Sequence, residues 1–200
     1  MDRIEIKDGL IIDGIGGNPY VGNIYLNDGK ITAITHGESL GSDISIDASG
    51  KIVSPGFIDL HSHSDFSFLL DSTAQSKLRQ GVTMELLGNC GFSLCAPLNK
   101  YTKEDFDSWI SEYTDTFDIT WSDFGGYIAA SKKAKATINL AFQVGHGTLR
   151  ASVMGYEDRT PSADELDKMK NLAGECLDEG ARGLSTALVY TPGTYSRTDE

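Results

Sequence analysis

Hydrophobic and polar positions follow two rhythms along the 200 residues. Through residue 53 they form short alternating or β-branched runs, "RIEIKD", "GLIIDG", "GNIYLND", "KITAIT" and "DISID", separated by Gly, Asn and Asp. Period-two runs bounded by such residues predict strands. Within "NIYLNDGKITAI", Asp28-Gly29 supplies the positive φ that a tight hairpin needs. The stretch is too short for a self-sufficient β domain, so partner strands are expected from elsewhere.

From Pro55 onward strand and helix patterns alternate. "GFIDL" reads as a buried strand, "TAQSKLRQG" (73–81) as a helix closed by Gly81, and "VTMELLG" (82–88) as a second strand. A longer helical region is expected from Lys103 to Lys135, with Trp109, Trp121 and Phe124 packing inside. "TINLAFQVG" (137–145) is a third strand. "SADELDKMKNLAGECLDEG" (162–180) has helical periodicity, with Ser162 and Glu165 at capping-box spacing and Gly180 as the stop. "ARGLSTALVY" (181–190) is a fourth strand. Four β/α units in succession predict an α/β fold with parallel strands, a TIM-like (β/α) barrel first among them. Such a barrel takes about 250 residues and eight strands. The pattern therefore predicts an incomplete barrel over 55–200, preceded at 1–54 by part of a small β-sandwich. At the end, "SRTDE" reads as a helix just starting, as though the chain were cut within a fold.

Composition narrows the partners. With 40% hydrophobic and 23% charged residues this is an ordinary globular chain. A net charge of −12 argues against nucleic acid and anionic membrane surfaces, which need basic patches. No apolar run approaches the roughly 20 residues of a membrane span, and "MDRIEIKDG" lacks the apolar core of a signal peptide. Three cysteines, Cys90, Cys95 and Cys176, are too few for a disulfide framework. A reduced, cytoplasmic protein is expected, its oligomeric state left open.

Candidate chemistry concentrates in "PGFIDLHSHSDFS" (55–67), which holds two of the four histidines. On a strand, residues two apart share a face about 6.6 Å from each other. His61 and His63 thus fall together where the first barrel strand runs out, on the rim where such folds place their sites. Two neutral imidazoles there can hold one divalent cation, with Asp59 or Asp65 orienting their second nitrogens. The plainer alternative is a pair of hydrogen-bonded rim histidines.

The histidine pair after a Pro-Gly-hydrophobic entry resembles the amidohydrolase superfamily. "GVTMELLGNCGFS" (81–93), "QVGHGTLR" (143–150) and "GARGLSTALVYTPGTYSRTDE" (180–200) resemble its D-aminoacylase group in particular. The resemblance spans essentially the whole chain. HxH is generic to the superfamily, whereas GNCG and GLST…YTPG are far more specific. It implies hydrolysis of the amide of small-molecule N-acyl-D-amino acids by an enzyme holding one or two Zn²⁺ ions. It also implies that two further histidine ligands and an acid/base aspartate come from later strands, for which residues 1–200 offer no candidates.

In that group a cysteine of the GNCG motif ligates metal, and Cys90 is the matching residue. Its thiolate is a strong zinc ligand, about 2.3 Å from the ion. Many relatives instead bridge two metals with a carbamylated lysine on strand four, but "GLSTALVY" contains none. This counts against a hydantoinase-like cyclic amidase; a truncated, non-catalytic chain is the other alternative. Cys176, inside a helix, and Cys95 read as packed thiols. By resemblance Tyr190 donates to the oxygen of a tetrahedral intermediate; otherwise its ring packs under Pro192-Gly193. His146 is expected on a rim loop between glycines, contacting substrate or a metal-bound water, or simply satisfied there. Arg150 could recognise a carboxylate or pair with an acid, and His36 reads as a surface residue.

Overall fold

The computed structural model describes residues 2–94, 99–111, 113–114, 117 and 119–200. Cys95 and part of the helical stretch expected over 103–135 lie outside these residues. The chain divides into two compact units, Met1–Gly56 and Phe57–Glu200.

The first unit is one five-stranded sheet of β1 (Ile4–Ile11), β2 (Tyr20–Asn27), β3 (Lys30–Thr35), β4 (Ile44–Asp47) and β5 (Ile52–Val53). Strand β1 runs antiparallel to β2 and parallel to β4 and β5. The two runs expected as separate strands over 3–14 are one strand. Asp8 (φ 58°) makes a bulge there rather than a turn, and its N–H is taken by Asn23 Oδ1 at 2.8 Å. The β2–β3 hairpin closes through Asp28 (φ 48°) and Gly29 (φ 71°) as the sequence predicts, since both central residues of a type I′ turn need positive φ. His36 is exposed, its ring 4.9 Å from that of Tyr20.

The second unit alternates parallel strands with helices in chain order. Strand β6 (Phe57–Asp59) is followed by two single-turn helices, α1 (Ser67–Leu70) and α2 (Gln75–Leu78), and then β7 (Val82–Leu87). Two longer helices come next, α3 (Lys100–Ser111) and α4 (Phe124–Ala134). Strands β8 (Asn139–Phe142) and β9 (Val144–Gly145) are nearly continuous, and helices α5 (His146–Met154) and α6 (Ala163–Asp178) precede β10 (Leu184–Ser185). The parallel pairs are β6–β7, β7–β8 and β9–β10. At Gln143 the hydrogen bonding changes sides: Gln143 N–H donates to Leu87 O, and Val144 N–H to Gly183 O. This is a mixed α/β architecture with its parallel strands in sequential order. Among the described residues no helix is long and apolar enough to cross a membrane.

Local signals explain what matched and what did not. Helix α6 starts on the predicted capping box: Ser162 Oγ accepts from Glu165 N–H, and Glu165 Oε2 accepts from Ser162 N–H at 2.8 Å. The helical region expected over 103–135 is split, because Asp123 caps a new helix by accepting from Gly126 N–H at 2.7 Å. Trp121, just before that cap, packs into the core with Phe124 and donates its indole N–H to Leu94 O. Trp109 is half-buried against the same cluster. The fourth strand is two residues long rather than ten. Beyond Ser185 the backbone satisfies itself in a turn, with Thr194 N–H donating to Tyr190 O at 2.9 Å, and Leu188 and Val189 are exposed. Residues 198–199 form a turn rather than a helix start.

Candidate metal centre

The site is built where β6 and β7 end. Past Asp59 the chain leaves the strand, and His61 and His63 stand exposed on the segment beyond it, rings 5.6 Å apart and edge-on. Past Leu87, Gly88 (φ 81°) turns the chain so tightly that a Cβ there would sit 2.1 Å from Gln143 O. Cys90 follows in the left-handed region (φ 56°), a conformation rare outside glycine, and half-buried. This turn brings Cys90 Sγ to 3.2 Å from His61 Nε2. One donor atom each from His61, His63 and Cys90 lies within 4.8 Å of the others.

Side chains from several elements hold the two segments in place. Asn89 donates to Leu86 O at 2.7 Å and to Ser62 O at 3.2 Å, tying the cysteine turn to the residue between the histidines. Ser185, on β10, accepts from Gly91 N–H at 3.0 Å and donates to Gly88 O at 2.5 Å. Beneath the histidines, Lys77 bridges Asp59 at 2.7 Å and Glu85 at 2.8 Å. Glu85 also accepts from Ser62 at 2.7 Å and Ser64 at 3.1 Å. Burial opposes the charge on Lys77, but its hydrogen bonds to Asp59 and Glu85 outweigh that and raise its pKa. The same Lys77 bond, with the His61 N–H, holds the Asp59 carboxyl below its usual range. None of Asn89, Ser185, Lys77 or Glu85 was singled out from sequence. Only Glu85, a carboxylate inside the apolar run "VTMELL", carried a visible signal.

The carboxylates expected to orient the imidazoles are engaged elsewhere in this structure. Asp59 accepts from the backbone N–H of His61 at 3.1 Å and from Lys77, so it positions the segment rather than a ring. Asp65 is buried and accepts from Gly88 N–H at 2.8 Å, while its Oδ2 has no hydrogen-bond partner among the described residues. Burial pushes its carboxyl up to about 7.

His146 is not on a loop. It opens α5 directly after β9, because its glycine neighbours serve close packing instead of flexibility. A Cβ on Gly145 would lie 2.5 Å from Gly91 backbone atoms, so the helix start is pressed onto the cysteine turn. His146 Nδ1 lies 3.1 Å from Thr186 Oγ1, and Nε2 lies 3.1 Å from Glu200 Oε1. Arg150 is fully buried and donates to Glu200 at 2.9 Å, which makes it an ion-pair partner here. Tyr190 sits in the turn after β10, 59% exposed, and borders a cavity of about 650 Å³ that also reaches His63 and Cys90. Cys176 is buried on α6, and its burial pushes the thiol up to about 11, as suits a packed thiol.

Two imidazoles and a thiol form a nitrogen/sulfur donor set of the kind zinc prefers. A tetrahedral zinc sets such atoms roughly 3.3–3.8 Å apart. The His61–Cys90 separation of 3.2 Å is already close to that. All three donor atoms lie within 4.8 Å of one another, and both histidines are exposed. The residues fit the ion.

The profile of the amidohydrolase family matches residues 45–198. The chain belongs to that family. An N-acyl-D-glutamate deacylase of Alcaligenes xylosoxydans xylosoxydans is 35% identical over 198 residues, covering 98% of this chain and 39% of the relative. A D-aminoacylase of the same organism is 33% identical over 195 residues, covering 98% and 40%. The crystal structure of N-acyl-D-glutamate deacylase from Bordetella bronchiseptica, complexed with zinc and a phosphonate mimic of the tetrahedral intermediate, is similar at TM-score 0.82 and 33% identity. It covers 97% of this chain and 40% of its own. This amidohydrolase chain thus spans about two fifths of the length of the curated relatives it matches.

Proposed function

We propose that this protein is a zinc-dependent amidohydrolase that cleaves the amide bond of N-acyl-D-amino acids, releasing a carboxylate and the free amino acid. The observation that carries this reading is the convergence of His61, His63 and Cys90, from two separate strand ends, onto one point beside a cavity. Deacylase relatives at 33–35% identity along nearly the whole chain support it.

In this reading His61, His63 and Cys90 hold the metal. Bound there, zinc supplies Lewis acidity towards an amide carbonyl and lowers the pKa of water. The protein's own contribution is placement. Asn89 keeps the cysteine turn against the histidine segment, Ser185 ties that turn to β10, and the Lys77–Asp59–Glu85 group links the ends of β6 and β7. Tyr190 is the donor proposed for the developing oxyanion, and its place on the cavity wall beside His63 supports that. His146, at the start of α5, is engaged by Thr186 and Glu200. The closed barrel and the two-layer β-sandwich belong to the same proposal. The sequential parallel strands favour the former, and exposed Ile31, Ile44 and Ile46 on the first sheet favour the latter.

The test is turnover of N-acetyl-D-amino acids by the intact protein, with the L-enantiomers as controls and metal content measured in parallel. The reading expects D-selective release of the free amino acid that is lost with a chelator and restored by zinc. Chelator-resistant activity, or no turnover with zinc bound, would overturn it.

A further inference from the structure

The cavity of about 650 Å³ beside His63 and Cys90 has walls of a definite chemistry. Phe92 and Phe106, with Trp109 and Tyr113 from the same side, give it an aromatic lining. Phe92 meets Phe106 and Trp109 edge-to-face, with ring centroids 5.6 and 5.2 Å apart, so these walls brace one another. Among the described residues one acidic residue lines the space, Asp105 on α3, whose carboxylate accepts a hydrogen bond from the Tyr156 hydroxyl. No lysine or arginine lines the cavity among the described residues. Burial and the neighbouring charge of Glu104 raise the Asp105 carboxyl above its usual range, so a second anion would meet a site already unfavourable to one.

We propose that this cavity receives a neutral aromatic or bulky apolar side chain of the substrate, and that Asp105 is a specificity residue rejecting substrates with an acidic side chain. The proposal rests on the deacylase reading and narrows it to N-acyl-D-amino acids such as those of phenylalanine or leucine. Aromatic walls reward apolar area removed from water. A carboxylate entering the same space would be desolvated next to Asp105, with no cation to pair it among the described lining residues. The α-carboxylate is common to every N-acyl amino acid and cancels from the comparison, so discrimination comes from the side chain alone.

The experiment compares kcat/KM of the intact, zinc-loaded protein for N-acetyl-D-phenylalanine, N-acetyl-D-leucine and N-acetyl-D-glutamate. The expected result is at least a tenfold preference for the neutral substrates, and an Asp105→Asn variant whose acidic-to-neutral ratio rises severalfold. Asp105 is only partly buried, so the isosteric change spares the fold; matching melting curves confirm that. Equal or better turnover of the glutamate substrate, or an unchanged ratio in Asp105→Asn, overturns the proposal. Failure to turn over any N-acyl-D-amino acid overturns the deacylase reading instead. The cavity is then decided by calorimetric titration with N-acetyl-D-phenylalanine and N-acetyl-D-glutamate. Tighter binding of the former, weakened by Trp109→Ala and not shared by the latter, supports it; no difference between the two sinks it.

Discussion

His61 Nε2 lies 3.2 Å from Cys90 Sγ although 29 residues separate them in sequence. One residue follows β6 and the other follows β7, neighbouring parallel strands in which Asp59, at the end of β6, pairs with Glu85 near the end of β7. The contact is produced by the left-handed backbone at Cys90, which turns its thiol toward the histidines.

Replacing Cys90 with Ala removes the one sulfur donor of the proposed three. Zinc affinity is expected to fall by more than the roughly 10–100-fold that follows loss of a residue supporting a ligand, and turnover should fall with it. Metal analysis after equilibrium dialysis, beside kinetics on the same samples, checks this. Unchanged zinc content would reduce Cys90 to a packed thiol.

Lys77 stands under the site between two carboxylates, and Glu85 is almost completely buried. Lys77→Met leaves that carboxylate without its cation. Breaking a buried pair costs about 3–5 kcal/mol. The low end, about 3 kcal/mol, is expected because Lys77 is 26% exposed. Adding Glu85→Gln should recover part of the loss, because the double variant leaves only the partly exposed Asp59 carboxylate without its cation. Urea unfolding of the two variants decides it; a single variant as stable as the parent would show that the pair contributes nothing.

Much of this arrangement was legible in the sequence, for identifiable reasons. The hairpin at Asp28-Gly29 and the cap at Ser162 depend on residues within three positions of each other, and local chemistry determines both. The histidine pair and Cys90 were visible as motifs, and a parallel strand order makes their ends adjacent. The helix at His146 was hidden because Gly145 and Gly147 look like loop residues. Their actual reason, contact with the Gly91 backbone, lies far away in sequence. Likewise, nothing local marks Asn89 or Ser185 as braces, since their partners, Ser62 and Gly88, sit on other elements. The apolar "ALV" of 187–189 read as strand by composition, yet it lies beyond β10, with Ala187 half-buried and Leu188 and Val189 exposed.

Glu165 provides a pH test of the legible part. Its two hydrogen bonds from Arg159, at 2.7 Å each, and that from Ser162 N–H hold its carboxyl at about 2, against an ordinary 4.5. A depressed folded pKa means the unfolded chain binds the proton first as pH falls. The stabilisation is therefore complete above the ordinary value and is lost as pH drops through about 2. The stability gap between the parent and Glu165→Gln should be widest near neutral pH and should shrink steadily between about 4.5 and 2. Chemical unfolding across that range measures it, and a gap that stays flat would show that the charge is not what Arg159 and the cap recognise.

Tyr190 offers the sharpest test of the chemistry. Its ring is 59% exposed in the turn after β10, on the same cavity as His63 and Cys90. Tyr190→Phe keeps the ring and removes one hydroxyl from an exposed position, so stability should stay within about 0.5 kcal/mol of the parent. If the hydroxyl meets the developing oxyanion, losing that donor should cost about 10²–10³ in kcat, roughly 2.7–4 kcal/mol. A contact made only in the transition state lowers kcat and kcat/KM together and leaves KM nearly unchanged. A role in binding the ground state would instead raise KM with kcat intact. Steady-state kinetics on the Phe variant, read beside its melting curve, separates these cases, and a fully active variant would remove Tyr190 from the mechanism.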